Sequence, residues 1–346
     1  MMYFPPLRFG KNPKLYIIAT LIVFLEVFII IGNYIKATRP VIKRWRYLVS
    51  DISCHFEEDG DALPSAEDPS FTPKMRSIFF HETSCRGGLT SRQACSIETA
   101  ARANPESEIY VLFSAPVAEH ILKRTCLSKL LEFKNVKMAR VHLAEYSKGT
   151  VLESIMMDLE DTRHPVEHIS DILRVLSLNK WGGIYLDTDM MVVHPLTELP
   201  PNWIVKQSDG SVPSAILSFG KDQIGKNVTD AILTELTKLY DPYGWSVYGA
   251  RAIQKVFQRM CPDLLNLEQC NGIPIFQYEL FYPLHYTLWN LYFKPGTFSN
   301  AEPPYTYHMW SHLSNYKKIE KNSPYDMLAK KHCPTIYEMY GDKFGI

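Results

Sequence analysis

The sequence has no surplus of either charge: 37 Lys and Arg stand against 37 Asp and Glu, with 11 His besides. With a pI of about 7.2, such a chain has no basic field to draw a polyanion, so no nucleic-acid partner is expected. It also lacks an internal repeat with a period of about 20–50 residues and any low-complexity tract, which excludes solenoids, propellers and fibrous arrays. Long apolar runs are missing apart from one, and a mean hydropathy of -0.14 excludes a polytopic membrane protein. What the 346 residues do hold is 46% hydrophobic and 12% aromatic side chains, enough for a real core and too many for a disordered chain. By length the chain is two domains or one large α/β domain with appendages.

The one long apolar run reads LYIIATLIVFLEVFIIIGNYI from Leu15 to Ile35 and is broken only by Glu26. A membrane-crossing helix takes about 20 such residues. The expectation is therefore a single transmembrane signal anchor at 15–35 behind a cytoplasmic tail at 1–14. A cleaved signal peptide is the alternative, but its apolar core is shorter, about 7–15 residues, and ends at a small-x-small site where this chain has GNYIKATRP. A buried soluble helix is the third reading.

Orientation draws on two opposed signals. Arg8, Lys11 and Lys14 precede the run while Lys36, Arg39, Lys43, Arg44 and Arg46 follow it, which alone would keep the body cytosolic. Cysteine usage points to the lumen, since Cys261 and Cys270 are spaced for a short-loop disulfide. Cys85, Cys95, Cys126 and Cys333 can pair in connectivities the spacing leaves open, and Cys54 is the expected odd thiol of the seven. The sequon Asn227-Val228-Thr229 would accept a glycan only in a lumenal body. Residues 36–74 read as a stem, its acidic, proline-bearing part DISCHFEEDGDALPSAEDPSFTPK being a flexible spacer. The body spans 75–346.

Within the body, strand-like segments alternate with helical ones. Ser77 to Phe80 and Ile109 to Phe113 flank the helical SIETAARA; the apolar segment near Val136 to Leu143, the helix SDILRVLSLNKW and the strand IYLD follow. That alternation implies an α/β fold with a mostly parallel sheet flanked by helices, and in such sheets ligands bind beyond the carboxyl ends of strands.

One such end carries the segment Trp181-Gly182-Gly183-Ile184-Tyr185-Leu186-Asp187-Thr188-Asp189. The glycines end a helix, the next three residues form a buried strand, and Asp187 and Asp189 are two apart, so on an extended chain their carboxylates face one way. Crowded carboxylates repel unless a cation lies between them, and hard oxygen ligands suit Mn²⁺ or Mg²⁺ completed by substrate phosphates. The plainer reading is a turn with two solvated Asp. Upstream, Ser170 can cap a helix on which Asp171 and Arg174 share a face. These two are either an ordinary ion pair or a carboxylate and guanidinium that hold sugar hydroxyls and charged oxygens.

With these residues in place, the body resembles the α-1,4-galactosyltransferase / α-1,4-N-acetylglucosaminyltransferase family. The matching segments are Ile78-Phe79-Phe80-His81-Glu82-Thr83-Ser84, Cys95 to Arg102, Asn104-Pro105-Glu106-Ser107, the S-D-x-x-R helix, W-G-G-I-Y-L-D-T-D, Phe281-Tyr282-Pro283, His308-Met309-Trp310 and Cys333-Pro334-Thr335. Their order and coverage carry the resemblance. It implies a GT-A nucleotide-diphospho-sugar transferase fold in a type II Golgi membrane protein with a lumenal catalytic domain. The implied activity is retaining transfer of galactose or N-acetylgalactosamine from a UDP-sugar, in α-1,4 linkage, to a glycosphingolipid. Homo- or hetero-oligomers with other transferases also fit this setting.

By the same resemblance, Asp187 and Asp189 bind Mn²⁺, or Mg²⁺, and the UDP diphosphate, and Asp171 and Arg174 contact the donor sugar. His308 supplies a third metal ligand, the alternative being a histidine merely packed beside Trp310. Phe79, Phe80, His81, Glu82 and Thr83 line the uridine pocket.

Two segments depart from the family pattern. Pro213-Ser214-Ala215-Ile216-Leu217-Ser218-Phe219 stands where relatives carry an N-G-A-F-L-A-F strand, and Gly244 to Arg251 lacks the His and Pro of an H-Q-G-P element. These changes keep a binding-class rival in view, a catalytically weak paralogue that holds UDP or a glycan as partner or chaperone of another transferase. A haloacid-dehalogenase-like phosphatase is the other enzyme class considered; Met191 stands where its motif has Thr or Val, and the Asp pair lies mid-body.

Overall fold

Segments such as IFFHE and IYVLF leave no polar face for water, and the structure buries them on both sides. The structure is a computed structural model that describes residues 22, 24–30, 55, 60–159, 162–207, 209–244, 248–297 and 303–346. The strands are β1 (Ile78–Glu82), β2 (Ile109–Phe113), β3 (Val136–Arg140), β4 (Gly183–Leu186), β5 (Met190–Val192), β6 (Ile204–Lys206), β7 (Ile216–Phe219), β8 (Gln269–Cys270), β9 (Ile273–Gln277) and β10 (Thr306–His308). The central five-stranded sheet has the order β3-β2-β1-β4-β7. β1 runs parallel to β2 and β4, β2 parallel to β3, and β7 closes the edge antiparallel to β4. Alternate residues feed two cores: Ile78, Phe80, Val111 and Leu186 pack on one face, Phe79, Tyr110, Leu112 and Tyr185 on the other.

Helices cover both faces. On one lies α1 (Ser91–Ala103), opened by a capping box between Thr90 and Gln93. On the other lie α2 (Pro165–Trp181), α3 (Gln223–Leu239) and α4 (Tyr248–Met260). Pro165 starts α2 five residues before Ser170, so Ser170 is an interior helix residue rather than the cap its sequence context suggests. The helix stops at Gly182 (φ 67°). Gly183 (φ 114°) then lets β4 approach β1, for a Cβ there would lie 2.3 Å from Ser77 O. Two short C-terminal helices, α5 (Pro324–His332) and α6 (Pro334–Tyr340), are stapled to α1 by Cys95–Cys333.

The expected Cys261–Cys270 disulfide is present, and Cys85 is also disulfide-bonded. Among the described residues Cys126 is a free thiol, buried in the core and directed at Leu89 O, 3.5 Å away; Cys54, the expected odd thiol, lies outside the described residues.

Contacts divide the chain into residues 1–53 and 54–346. In the first unit, Ile22 and residues 24–30 are helical with exposed side chains, and the rest of the expected 15–35 span lies outside the described residues. Among the described residues no helix is long and apolar enough to cross a membrane. In the second unit, residues 60–74 are not the flexible spacer their composition suggests. Ala66 N–H donates to Arg140 O (2.7 Å), Arg140 N–H to Pro64 O (2.8 Å), and Asp61 faces the buried Arg140 guanidinium at 3.2 Å. Phe71 meets Tyr110 and Trp181 edge-on. The segment satisfies the open edge of β3 and neutralises a buried cation, which explains why acidic, polar sequence is ordered there.

Candidate active site

The chain builds β1, β2 and β3 outward in one direction, then returns to add β4 on the other side of β1. A crevice opens where the strand order reverses, at the carboxyl ends of β1 and β4. A cavity of about 590 Å³ occupies it, with His81, Thr83, Ser170, Arg174, Asp187 and Asp189 in its walls.

Asp187 follows β4 and Asp189 precedes β5, with Met190 N–H donating to Asp187 O (3.0 Å). The pair thus sits in a turn rather than on an extended strand, yet the side chains converge. β10 pairs antiparallel with β5, setting His308 opposite Met190 and bringing its imidazole to the acids. One ligand atom from each of Asp187, Asp189 and His308 lies within 4.8 Å of the others. Two carboxylates and an imidazole converging in a cleft are a donor set suited to a divalent cation of the Mn²⁺ or Mg²⁺ kind, so the residues fit the expected metal.

Asp189 is held most firmly. It accepts from Ser311 N–H (2.6 Å) and pairs with His308 Nε2 (3.2 Å). The Ser311 contact depends on Trp310, whose backbone is left-handed (φ 52°), a costly state for a bulky residue and one concentrated at functional sites. Burial alone would raise the Asp189 pKa, but the His308 charge and the Ser311 hydrogen bonds outweigh it and hold the carboxyl at about 2. Burial would lower His308, and Asp189 overrides this to raise it. Asp187 accepts from Tyr185 OH (2.5 Å) and lies 3.4 Å from Arg174.

Arg174 organises the neighbouring wall. Its guanidinium is 3.0 Å from Asp171, donates to Ser170 Oγ (2.9 Å), Ser170 O (3.2 Å), Ser214 O (2.8 Å) and Ser214 Oγ (2.9 Å), and lies over the Tyr185 ring. Asp171, buried, also accepts from Gly249 N–H (2.9 Å); burial raises its pKa despite Arg174. This is more than an intrahelical ion pair, because it clamps α2, β4 and the segments leading into β7 and α4 together.

The His308 shift has a measurable consequence. A raised imidazole pKa means that the Asp189–His308 pair stabilises the metal-free fold fully below about 6.5, the ordinary His value, and loses that contribution as pH rises through the raised one. A cation needs the neutral ring and must displace the proton. Mn²⁺ affinity measured by calorimetry is therefore expected to rise between pH 6 and pH 8, by up to about tenfold per unit for one released proton. A pH-independent affinity with no proton release would show that His308 is not a ligand.

Of the expected nucleotide-pocket residues, His81, Glu82 and Thr83 line the cavity, whereas Phe79 and Phe80 are wholly inside the two cores. Strand residues covered by helices on both faces have no route to the cleft until the strand end. Sequence reading missed several contributors: Tyr185, Ser214, Gly249, Ser311, and Gln93, whose side-chain amide donates to Thr188 Oγ1 (3.2 Å). Of these, Tyr185 lies within the W-G-G-I-Y-L-D-T-D segment, Ser214 and Gly249 within the two departing segments, and Ser311 directly after His308-Met309-Trp310, while Gln93 carried no local signal. A second cavity of about 520 Å³ meets the first at Asp187, His308 and Trp310, and its walls include Gln207, Pro213, Ser214, Arg251 and Gln254. Both departing segments therefore border it. Trp245 to Val247 lie outside the described residues.

Comparison with known proteins agrees with this geometry. The profile of a glycosyltransferase sugar-binding region containing a DXD motif matches residues 90–208, and that of an alpha 1,4-glycosyltransferase conserved region matches 221–340. The chain is 31% identical over 286 residues to lactosylceramide 4-alpha-galactosyltransferase of Gorilla gorilla gorilla, covering 78% of this chain and 85% of the relative. It is 24% identical over 277 residues to human alpha-1,4-N-acetylglucosaminyltransferase, covering 76% and 80%. Among solved structures, the galactosyltransferase LgtC in complex with donor and acceptor sugar analogues aligns with a TM-score of 0.39 at 17% identity, over 74% of this chain and 96% of that one.

Proposed function

The chain belongs to the α-1,4-glycosyltransferase family, and from that premise we propose that it is a metal-dependent retaining hexosyltransferase. It moves galactose or N-acetylgalactosamine from a UDP-sugar, in α-1,4 linkage, to a glycosphingolipid. Its fold is GT-A-like, a mixed sheet with helices on both faces. The observation that carries the reading is the meeting of Asp187, Asp189 and His308 where two cavities join. The nucleotide diphosphate occupies the first cavity and the acceptor enters from the second.

Asp187, Asp189 and His308 would hold a divalent cation, Mn²⁺ in this reading, which when bound would supply positive charge to the leaving diphosphate. The protein's own part is electrostatic and positional. Arg174, in the wall of the first cavity, holds Asp171 and Asp187 in place, with Asp171 buried behind it. Ser311 N–H and the Trp310 turn keep Asp189 from swinging away. Among the described residues, Asp187 is the one carboxylate of the second cavity, and Arg174 and Tyr185 already engage it. The acceptor proton accordingly leaves on the departing phosphate oxygen, which also places the new bond on the face that the nucleotide vacates. The anchor at 15–35 would set the body in the Golgi lumen, type II, where the disulfides and the sequon make sense.

A donor screen tests the reading: the full-length chain in detergent with Mn²⁺, the UDP derivatives of Gal, GalNAc, GlcNAc and Glc, and β-galactoside acceptors. The expected result is an α-linked product from UDP-Gal or UDP-GalNAc that disappears with chelator. UDP binding without transfer from any donor would favour the partner-protein alternative, for which the altered Pro213 and Gly244 to Arg251 segments speak.

A further inference from the structure

An exposed apolar face lies at the mouth of the site and takes no part in the metal centre. It is built on the 3₁₀ helix Tyr286–Tyr292, of sequence YTLWNLY. With three residues per turn, positions three apart stack in rows along such a helix. Tyr286, Trp289 and Tyr292 make one row that runs from exposed through half-buried to fully buried, which fixes the helix to the body. Thr287 and Asn290 make a polar row. Leu288 and Leu291 make the third, and they are 48% and 43% exposed. Beside them the Trp289 ring meets that of Tyr316, which is 76% exposed, at 6.3 Å between centroids.

At its other end the face reaches the cleft. Tyr286 lines the first cavity together with Leu313, and its ring stands 6.1 Å from that of Trp310, a residue common to the walls of both cavities. Charge around the face has one sign, because residues 285–297 and 310–318 hold Lys294, Lys317 and Lys318 and no acid.

Exposed leucines beside Trp and Tyr, rimmed by lysines, suit a membrane–water boundary, where aromatic rings settle at headgroup level and lysines meet anionic phosphates. A protein partner matches less well, since protein interfaces are depleted in Lys. The acceptor adds a second reason. The hydrocarbon chains of a glycosphingolipid stay in the bilayer, because each methylene withdrawn from it costs free energy, so the cleft must come to the lipid.

We propose that Leu288, Trp289, Leu291 and Tyr316 seat the mouth of the cleft on the surface of the bilayer that holds the acceptor. The inference rests on the glycosphingolipid reading above and adds the means by which a sugar tethered to a membrane is presented to the two cavities. The leucines enter the boundary between headgroups and acyl chains, and the lysines hold the face there against anionic headgroups.

The test uses the full-length chain in vesicles of phosphatidylcholine and phosphatidylserine, with UDP-galactose and UDP-N-acetylgalactosamine as donors. A glycosphingolipid ending in β-galactose is the embedded acceptor and a water-soluble β-galactoside the free one. The double variant Leu288→Glu, Leu291→Glu is expected to lose about tenfold in kcat/KM on the embedded acceptor and to match wild type on the soluble one, which also shows that it is folded. Lipids brominated on their acyl chains should quench a share of the wild-type tryptophan emission that Trp289→Phe lacks. Equal activity of variant and wild type on both acceptors, an equal loss on both, or no quenching that depends on Trp289 would overturn the inference. So would a dimer in detergent that the double variant converts to a monomer, because the face would then belong to a second copy. Absence of transfer by wild type to either acceptor would instead overturn the activity from which the inference starts, and the quenching would still decide where the face sits.

Discussion

Asp189→Asn is expected to weaken Mn²⁺-dependent UDP binding by at least about 100-fold and to lower transfer further still, with little change in folding. Asparagine is chosen because Asp189 is largely buried and accepts from Ser311 N–H. Alanine would strand that N–H and the His308 imidazole as well as removing a ligand, mixing two effects. The amide keeps an acceptor for Ser311 and nearly the same volume, and loses only the charge. Loss of the charge also removes the partner that raises the His308 pKa, so the proton release on metal binding should shrink in the same variant. Calorimetry with Mn²⁺ and UDP, beside a thermal unfolding scan, separates the outcomes. Unchanged UDP affinity in a folded Asp189→Asn protein would remove Asp189 from the metal site.

Arg174→Ala carries the largest expected cost in stability, about 3–5 kcal/mol, together with loss of measurable transfer. The guanidinium is buried between two carboxylates, Asp171 at 3.0 Å and Asp187 at 3.4 Å, and its N–H groups also hold Ser170 and Ser214. Removing it leaves Asp171 buried without its main counter-charge and pushes a pKa that is already raised further upward. Arg174→Lys should recover only part of the loss, because a single ammonium on a flexible stem cannot replace a fork that engages both carboxylates and two serines. Denaturant midpoints for the three proteins would decide the matter. A penalty below about 1 kcal/mol for the alanine variant would show the cluster to be solvated and relaxed.

The parts of this site that were readable in the sequence are those where local spacing and three-dimensional placement coincide. Gly182 and Gly183 announce the end of α2, and the apolar β4 delivers Asp187 to the sheet's carboxyl edge whatever the rest of the chain does. Asp171 and Arg174 stand three apart on one helix face, so their pairing is local. The less legible features depend on long-range closure. Gly249 reaches Asp171 through its backbone N–H, which no side-chain pattern encodes, and Ser214 meets Arg174 with both its carbonyl and its hydroxyl from 40 residues along the chain. The ordering of residues 60–74 depends on a free strand edge and a buried Arg140 far along the chain, so composition alone misleads. Cysteine counting could not reveal that Cys126 is a free thiol in the core, because pairing follows topology rather than separation.

The antiparallel pairing of β5 with β10 has a consequence for how the protein is made. The two acids are translated well before His308, and neither stretch alone offers three donors. During synthesis the three-donor cluster is therefore incomplete until His308 has emerged and β10 has folded back onto β5. A chain truncated before residue 306 would keep the two acids and lack the imidazole that completes the cluster.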